Sequence, residues 1–352
     1  MEYLNIVTIM IATFNSDKLL PRTLDAIKKQ TYPKELIEIL IIDGGSKDST
    51  KEIAQEYGCK VLDNPKKEPV NAKLIGMREA SGKYLVTIDH DEVLQNPKSI
   101  ENKVRLLQEN PECKVAFCSG YLCPKDYSKL NQYISEYGDP FSLFIYRFPK
   151  GYCSLEKVLR KYYLIEKENE DGIVVSFENM KKQPIFELCC VGTMIDREYF
   201  LKFDGVCSQG SVFVHLFYLM LDKGNLKVIF AKNDPLTHYS ADSIKNYFPK
   251  IKWRVCNNIH FAGMGASGFT GRINHSSNMK WRKYLFIPYT VLVFPNLIEA
   301  CCLAINRKNS VFLLHPLFCW YTLIQIFYQY FLKIIGKVPA MTSYDGKEVI
   351  RK

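Results

Sequence analysis

The sequence predicts an α/β fold of Rossmann-like type, with a mostly parallel sheet carrying helices on both faces and hydrophobic helices added at its C-terminal end. Three observations predict it. Short β-prone runs alternate with stretches at helical spacing as far as residue 119, polar side chains cluster directly behind those runs, and two long apolar stretches follow residue 283.

The elements follow in order. Ile6 to Ala12 is a β-prone run that breaks at Thr13-Phe14-Asn15-Ser16-Asp17, and Leu20, Leu24 and Ile27 then fall at helical spacing around Pro21. Leu36 to Ile42 repeats the strand signal and runs into Asp43-Gly44-Gly45-Ser46-Lys47-Asp48-Ser49-Thr50. There the glycines turn the backbone, and Asp48 or Ser49 caps a helix that extends through Tyr57. Val61-Leu62 is a short strand, Val70 to Ala80 a helix, Tyr84 to Ile88 a strand, Ile100 to Leu107 a helix and Val115 to Cys118 a strand. Regular alternation of this kind builds a parallel sheet, whose ligands bind beyond the carboxyl ends of the strands. Three such ends carry polar side chains: Thr13 and Asn15, then Asp43, then Asp89 and Asp91. They are expected to converge on one crevice.

Asp89 and Asp91 are two apart, so in an extended chain their carboxylates leave the same face and can share one hard cation. An isolated Asp-x-Asp also reads as a solvated strand end. Its place behind a buried strand, in line with the other two polar ends, favours the cation. No Gly-x-Gly-x-x-Gly follows the first strand and no Gly-x-x-x-x-Gly-Lys-Ser/Thr occurs, which argues against a dinucleotide site and a P-loop.

A net charge of +10 suits nucleic acid, an anionic membrane or a phosphorylated substrate. Placement favours the membrane and excludes nucleic acid. Lys280, Arg282 and Lys283, then Arg307 and Lys308, then Lys333 and Lys337 flank apolar runs, and no Lys/Arg stripe with interleaved aromatics occurs elsewhere. The 12 cysteines form no paired Cys-x-x-Cys knuckles, so they read as buried hydrophobes in a reducing compartment rather than zinc ligands. Met1 to Asn5 lacks a basic n-region and the apolar run behind it is short for a signal peptide. The expected location is the cytoplasmic face of the cell membrane.

Ile11-Ala12-Thr13-Phe14-Asn15, Gln30-Thr31-Tyr32-Pro33, Glu38 through Thr50, and Ala80-Ser81-Gly82-Lys83-Tyr84 ending in Asp89-His90-Asp91 resemble, in order and spacing, the successive motifs of family 2 glycosyltransferases. The resemblance covers about the first 120 residues. It implies the nucleotide-sugar transferase fold of GT-A type, a nucleotide-diphospho-sugar donor, a divalent ion (Mg2+ or Mn2+) and inversion at the transferred sugar. It also implies roles. Asp91 holds the ion, Asp89 faces the ion or the ribose, Thr13, Asn15 and Asp43 line the base and ribose, and Lys73 reaches the diphosphate or base. Physically, a cation so held acts as a Lewis acid on the leaving diphosphate. The lysine adds a point charge.

The second half matches less well. Val191-Gly192-Thr193-Met194-Ile195-Asp196 and Phe203-Asp204-Gly205 resemble the strand and turn that precede the family's general base, yet the positions usually read as Glu-Asp are Val212 and Phe213. Neither takes a proton. Loss of a positioned base costs about 10²- to 10⁴-fold in rate, a cost that vanishes when the acceptor is already ionised, as a lipid phosphate is. His215 and Asp204 are the substitute candidates. His238, after a strand-like Leu226 to Ala231, resembles a position that approaches the metal or donor phosphate. Lys250-Ile251-Lys252-Trp253-Arg254 is not the Gln-x-x-Arg-Trp motif of processive synthases, which disfavours long-polymer synthesis.

The expected organisation is a catalytic domain over 1–255, its nucleotide-sugar half 1–119 and its tyrosine-rich acceptor half 120–255, followed by a linker over 256–283, membrane-associating helices over 284–337 and a basic tail over 338–352. Each apolar stretch is long enough to cross a bilayer of roughly 30 Å. Glu299, Pro288 and Pro295 are awkward in lipid, and in-plane or re-entrant helices compete with spanning. The expected activity is transfer to a lipid-linked glycan or other acceptor in envelope polysaccharide synthesis. Two rivals are a catalytically impaired homologue acting as membrane scaffold or partner subunit, and a nucleotidyltransferase, which usually shows a Gly-rich basic loop that Thr13 to Asp17 lacks.

Overall fold

The computed structural model describes residues 5–178, 180, 192–202, 220–221, 223–261, 269–273, 277–344 and 349–351. These group into two compact units, one of residues 1–122 with 150–238 and one of 123–149 with 239–352. This grouping differs from the sequence segmentation at 255. The helix Ile244–His260 packs along the helix His315–Ile334, and Tyr133 and Tyr137 join the same aromatic core.

The first unit has the expected architecture. Strands β1 (Val7–Thr13), β2 (Ile37–Asp43), β3 (Lys60–Asp63) and β4 (Tyr84–Asp89) pair in parallel in the order β3-β2-β1-β4. Nearly every residue of β1 and β4 is buried, as expected of strands covered on both faces. Helices α1 (Leu20–Lys28), α2 (Thr50–Glu56), α3 (Pro69–Glu79) and α4 (Ser99–Glu109) follow their strands, and Leu20, Leu24, Ile27 and Val104 seal against Val7, Ile9 and Ile11. Gly82 is required where α3 turns into β4. A Cβ there would stand 2.7 Å from both the Ile6 carbonyl and the Thr8 nitrogen.

The remaining strands of this unit in chain order are β5 (Glu92–Leu94), β6 (Val115–Phe117), β7 (Tyr121–Leu122), β8 (Leu164–Glu168), β9 (Gly172–Ser176), β10 (Thr193–Asp196), β11 (Lys227–Ala231) and β12 (Leu236–His238). β10 runs antiparallel between β4 and β6, and β11, β9 and β8 complete the large sheet. A small sheet, β5-β12-β7, stands beside it.

One buried ion pair ties the two sheets together. Lys103 on α4 reaches Asp234, just before β12, at 2.7 Å, and both side chains are 1% exposed. Lys103 also donates to Ser99 Oγ, and the Asp234 N–H donates to Ser119 Oγ at 2.9 Å.

The second unit is helical and turned inside out. Asn296, Thr290 and His315 are buried, while Phe294, Ile298 and Ile305 on the same helical hairpin are exposed. His315 bridges two tyrosine hydroxyls, Tyr133 at Nδ1 (2.7 Å) and Tyr289 at Nε2 (2.8 Å). The one proton of the Tyr289 hydroxyl goes to Glu299 at 2.6 Å, so Nε2–H donates to Tyr289 and Nδ1 accepts from Tyr133. Glu299 also meets Arg147 at 3.4 Å, and Glu136 meets Arg307 at 2.8 Å. The segment Ser310–Ile334 is long and apolar enough to cross a membrane, whereas Met279–Val291 and Phe294–Arg307 meet at a bend of 87°.

Replacing Lys103 by Ala strands the Asp234 carboxylate in the interior. Urea denaturation is expected to show a loss of about 3–5 kcal/mol, and an unchanged midpoint would contradict the role given to the pair.

Candidate functional site

Register decides where the polar strand ends lie. Thr13 pairs with Asp43 across β1 and β2, and Ala12 pairs with Asp89 across β1 and β4, so the three ends reach the same edge of the sheet. At that edge Asp43 is 1% exposed, and its oxygens are already engaged. They accept the N–H groups of Gly45 (2.9 Å) and Ser46 (2.8 Å) and the hydroxyls of Thr13 (3.1 Å) and Ser46, with the Lys51 ammonium at 3.5 Å. The carboxylate therefore folds the loop 44–46 upon itself.

Asn15 works on the same loop. It sits in the left-handed region (φ 49°), donates its N–H to Ser46 Oγ (2.9 Å) and accepts the Lys47 N–H on its side-chain oxygen (2.9 Å). Beside it, the Lys67 ammonium lies 5.9 Å from the centre of the Phe14 ring. Thr13, Asn15 and Asp43 thus form one clasp.

The second cluster lies behind β4. Lys73 on α3 stands 3.9 Å from Asp89, and His238 Nε2 stands 3.6 Å from Asp91 Oδ2. Both distances follow from pairing: β1 against β4 brings α3 over Asp89, and β12 against β5 sets His238 opposite Glu92. Thr23 on α1 donates to the carbonyls of His90 (2.8 Å) and Glu92 (3.0 Å), which fixes the turn between the aspartates.

Glu92 and Tyr121 were not singled out as site residues by sequence reasoning. Glu92 is fully buried, accepting the Asp89 N–H at 3.0 Å and the Tyr121 hydroxyl at 2.6 Å. Burial, and then the charges of Asp89 and Asp91, push its carboxyl up to about 8 against the pull of the Tyr121 hydrogen bond. The Tyr121 ring lies 5.0 Å from the His238 ring. The available signal was the third acid of Asp89-His90-Asp91-Glu92, which opens the β-prone run Glu92-Val93-Leu94 rather than ending the one before it. The candidate bases Asp204 and His215 lie outside the described residues.

Among the described residues no three His, Cys, Asp or Glu side chains gather closely enough to hold an ion by themselves. A hard divalent ion bound through substrate phosphates needs only one or two protein ligands, with phosphate and water oxygens completing its shell. Donors about 2.1 Å from such an ion and cis to one another lie about 3 Å apart. The 3.6 Å between Asp91 and His238 is compatible with that spacing, so the donor set fits.

The sequence profile of glycosyl transferase family 2 matches residues 8–200. A dolichyl N-acetyl-alpha-D-glucosaminyl phosphate 3-beta-D-2,3-diacetamido-2,3-dideoxy-beta-D-glucuronosyltransferase of Methanococcus voltae is 31% identical over 121 residues, which is 31% of this chain and 37% of that protein. Glycosyltransferase AglE of Haloferax volcanii is 31% identical over 91 residues, 24% of this chain and 30% of its own. The chain thus matches about a third of the length of these curated relatives. The mannosyltransferase PcManGT from Pyrobaculum calidifontis, solved with GDP-Man and Mn2+, shares the fold with a TM-score of 0.53 at 15% identity, covering 93% of this chain and 88% of that one.

Tyr121→Phe removes a donor from a buried carboxyl and is expected to cost about 1–3 kcal/mol in urea denaturation. Tyr152→Phe, whose hydroxyl makes a 3.4 Å exposed contact to Asn233, should move the midpoint by no more than about 0.5 kcal/mol.

Proposed function

The chain belongs to glycosyl transferase family 2, and we propose that it moves a sugar from a nucleotide-diphospho-sugar, with inversion and assisted by Mg2+ or Mn2+, to a lipid-linked glycan or other envelope acceptor. The observation that carries this reading is the meeting of three strand ends at one sheet edge, with Lys73 against Asp89 and His238 against Asp91.

In this reading the clasp of Thr13, Asn15 and Asp43 presents the loop 44–47 to the base and ribose. The N–H groups of Gly45, Ser46 and Lys47 are committed to Asp43 and Asn15, so in this reading the loop offers its carbonyls and its exposed edge rather than the Asp43 carboxylate. Lys73 meets the diphosphate as a point charge while Asp89 keeps it extended from α3. Asp91 and His238 would hold the divalent ion, with Asp89 beside them, and a bound ion supplies Lewis acidity to the departing diphosphate. Glu92 and Tyr121 set the positions of the groups that do this.

The acceptor side rests on relatives and on surface chemistry. The Methanococcus voltae relative carries a dolichyl-phosphate-linked sugar in its name. The apolar C-terminal helices with their basic flanks suit a membrane, so we place the protein at the cytoplasmic face of the cell membrane, where a lipid-linked acceptor would be met. An acceptor phosphate, ionised already, would need no general base.

Isothermal titration with a panel of UDP- and GDP-sugars, with and without Mn2+, is expected to reveal one donor whose binding tightens with the metal, and binding of none would overturn the reading. For that donor, Asp91→Asn should lower kcat by about a hundredfold or more while leaving the urea midpoint in place. Mass spectrometry of lipid-linked glycans from a strain lacking the protein should show a glycan one sugar shorter.

A further inference from the structure

Among the described residues, every exposed large hydrophobic side chain except Ile6, Leu164 and Val349 lies between Trp281 and Val338. They are ordered. On the helix His315–Ile334 the exposed positions Leu317, Trp320, Ile324, Phe327, Phe331 and Ile334 recur at alternating steps of three and four, which is one face of a helix. On Phe294–Arg307, Phe294, Leu297, Ile298 and Ile305 are exposed, the first and last by 75% and 76%. Asn296, Glu299 and His315 of the same helices turn inward. Asn296 donates to the Tyr289 carbonyl at 2.7 Å, Glu299 takes the Tyr289 hydroxyl, and His315 lies between two tyrosines. Polar side chains inside and aromatics outside is the arrangement of a protein solvated by lipid.

Two features oppose a spanning arrangement. The chain turns by 87° between Met279–Val291 and Phe294–Arg307, where Val293 takes φ 60°, and the latter helix of 14 residues reaches only about 21 Å. The long helix is also tied along its inner side to Ile244–His260. Tyr321 stacks on Phe248 at 4.1 Å, Phe318 meets Tyr247 at 5.1 Å, and Lys333 donates to the Ile259 carbonyl at 3.1 Å. That companion helix exposes Lys245 and Lys252 to water. Were His315–Ile334 to cross the bilayer, it would draw this helix in with it, at about 2.5–3.5 kcal/mol for each central charge.

We propose that the second unit is a monotopic seat: residues 281–338 lie in one leaflet, with the helix His315–Ile334 parallel to the membrane plane and its stripe from Leu317 to Ile334 among the acyl chains. This rests on the membrane association proposed above and fixes its geometry. Lys280, Lys308, Lys333 and Lys337 are exposed beside the apolar face, so the surface fits a leaflet rich in anionic lipid. A second copy of the chain, lacking a matching acidic rim on this face, fits less well.

The test uses the full chain. Vesicles of equal parts phosphatidylglycerol and phosphatidylcholine should bind it at least about a hundredfold more tightly than phosphatidylcholine alone, as three or four lysines at about 1 kcal/mol each require. In a W281F/W320F background, with Trp253 as constant baseline, single tryptophans replacing Leu317, Ile324 and Ile334 should be quenched alike by lipids brominated at one shallow depth. A deep Ile324→Trp between shallow ends would overturn the proposal in favour of spanning. As a check independent of those substitutions, protease added outside vesicles carrying the otherwise unaltered chain should remove both an N-terminal and a C-terminal tag. Protection of the C-terminal tag overturns it as well, and so does a sedimenting dimer that ignores vesicles. Donor titration on the same preparation tests the transfer reading separately.

Discussion

The hydrogen-bond register of β1 with its two neighbours is the constraint on which the site depends. A parallel pair fixes which residues end side by side, and here it sets Thr13 beside Asp43 and Ala12 beside Asp89. A slip of one residue would turn each of these side chains to the other face of the sheet and bury a charge among Ile9, Ile11 and Ile41. The same core that stabilises the fold therefore holds the acids at its edge. Both properties come from one set of buried β-branched and aliphatic residues.

A second layer of fixation comes from buried polar groups. Lys103 and Asp234 anchor the approach to β12, and Glu92 joins the turn after β4 to Tyr121 and so to the ring of His238. A charge or carboxyl in such a place has no water to fall back on, so its partners are strongly preferred over any other arrangement. That preference keeps Asp91 and His238, 147 residues apart in the chain, within 3.6 Å.

Much of this was legible in the sequence because it is local. Strand runs, the helices between them and the acids behind them each announce themselves within a dozen residues, and the polar strand ends lie along one edge of the sheet. What was not legible depends on distant partners. Asp43 and Asn15 read as ligand contacts, yet their side chains are also occupied with loop 44–47, a fact that only the fold of that loop reveals. The tyrosines after residue 120 suit an acceptor surface or a packed subdomain alike by composition, and the burial of Tyr133, Tyr146 and Tyr163 puts those three in a packed interior. Glu299 read as a charge awkward in lipid, but its partners Arg147 and Tyr289 remove the difficulty, and Arg147 lies 152 positions away. Segmentation at 255 could not anticipate that residues 123–149 join the C-terminal helices, since a discontinuous unit leaves no boundary signal in the chain.

The saturation of Asp43 has a kinetic consequence. A loop held by three hydrogen bonds to one buried carboxylate does not wait for a ligand in order to take shape, so the ordering cost of about 1–2 kcal/mol per backbone residue is met when the chain folds. Whatever docks there encounters a rigid rim. Arrival is then governed by diffusion and charge, and discrimination among ligands falls to how fast the wrong one leaves.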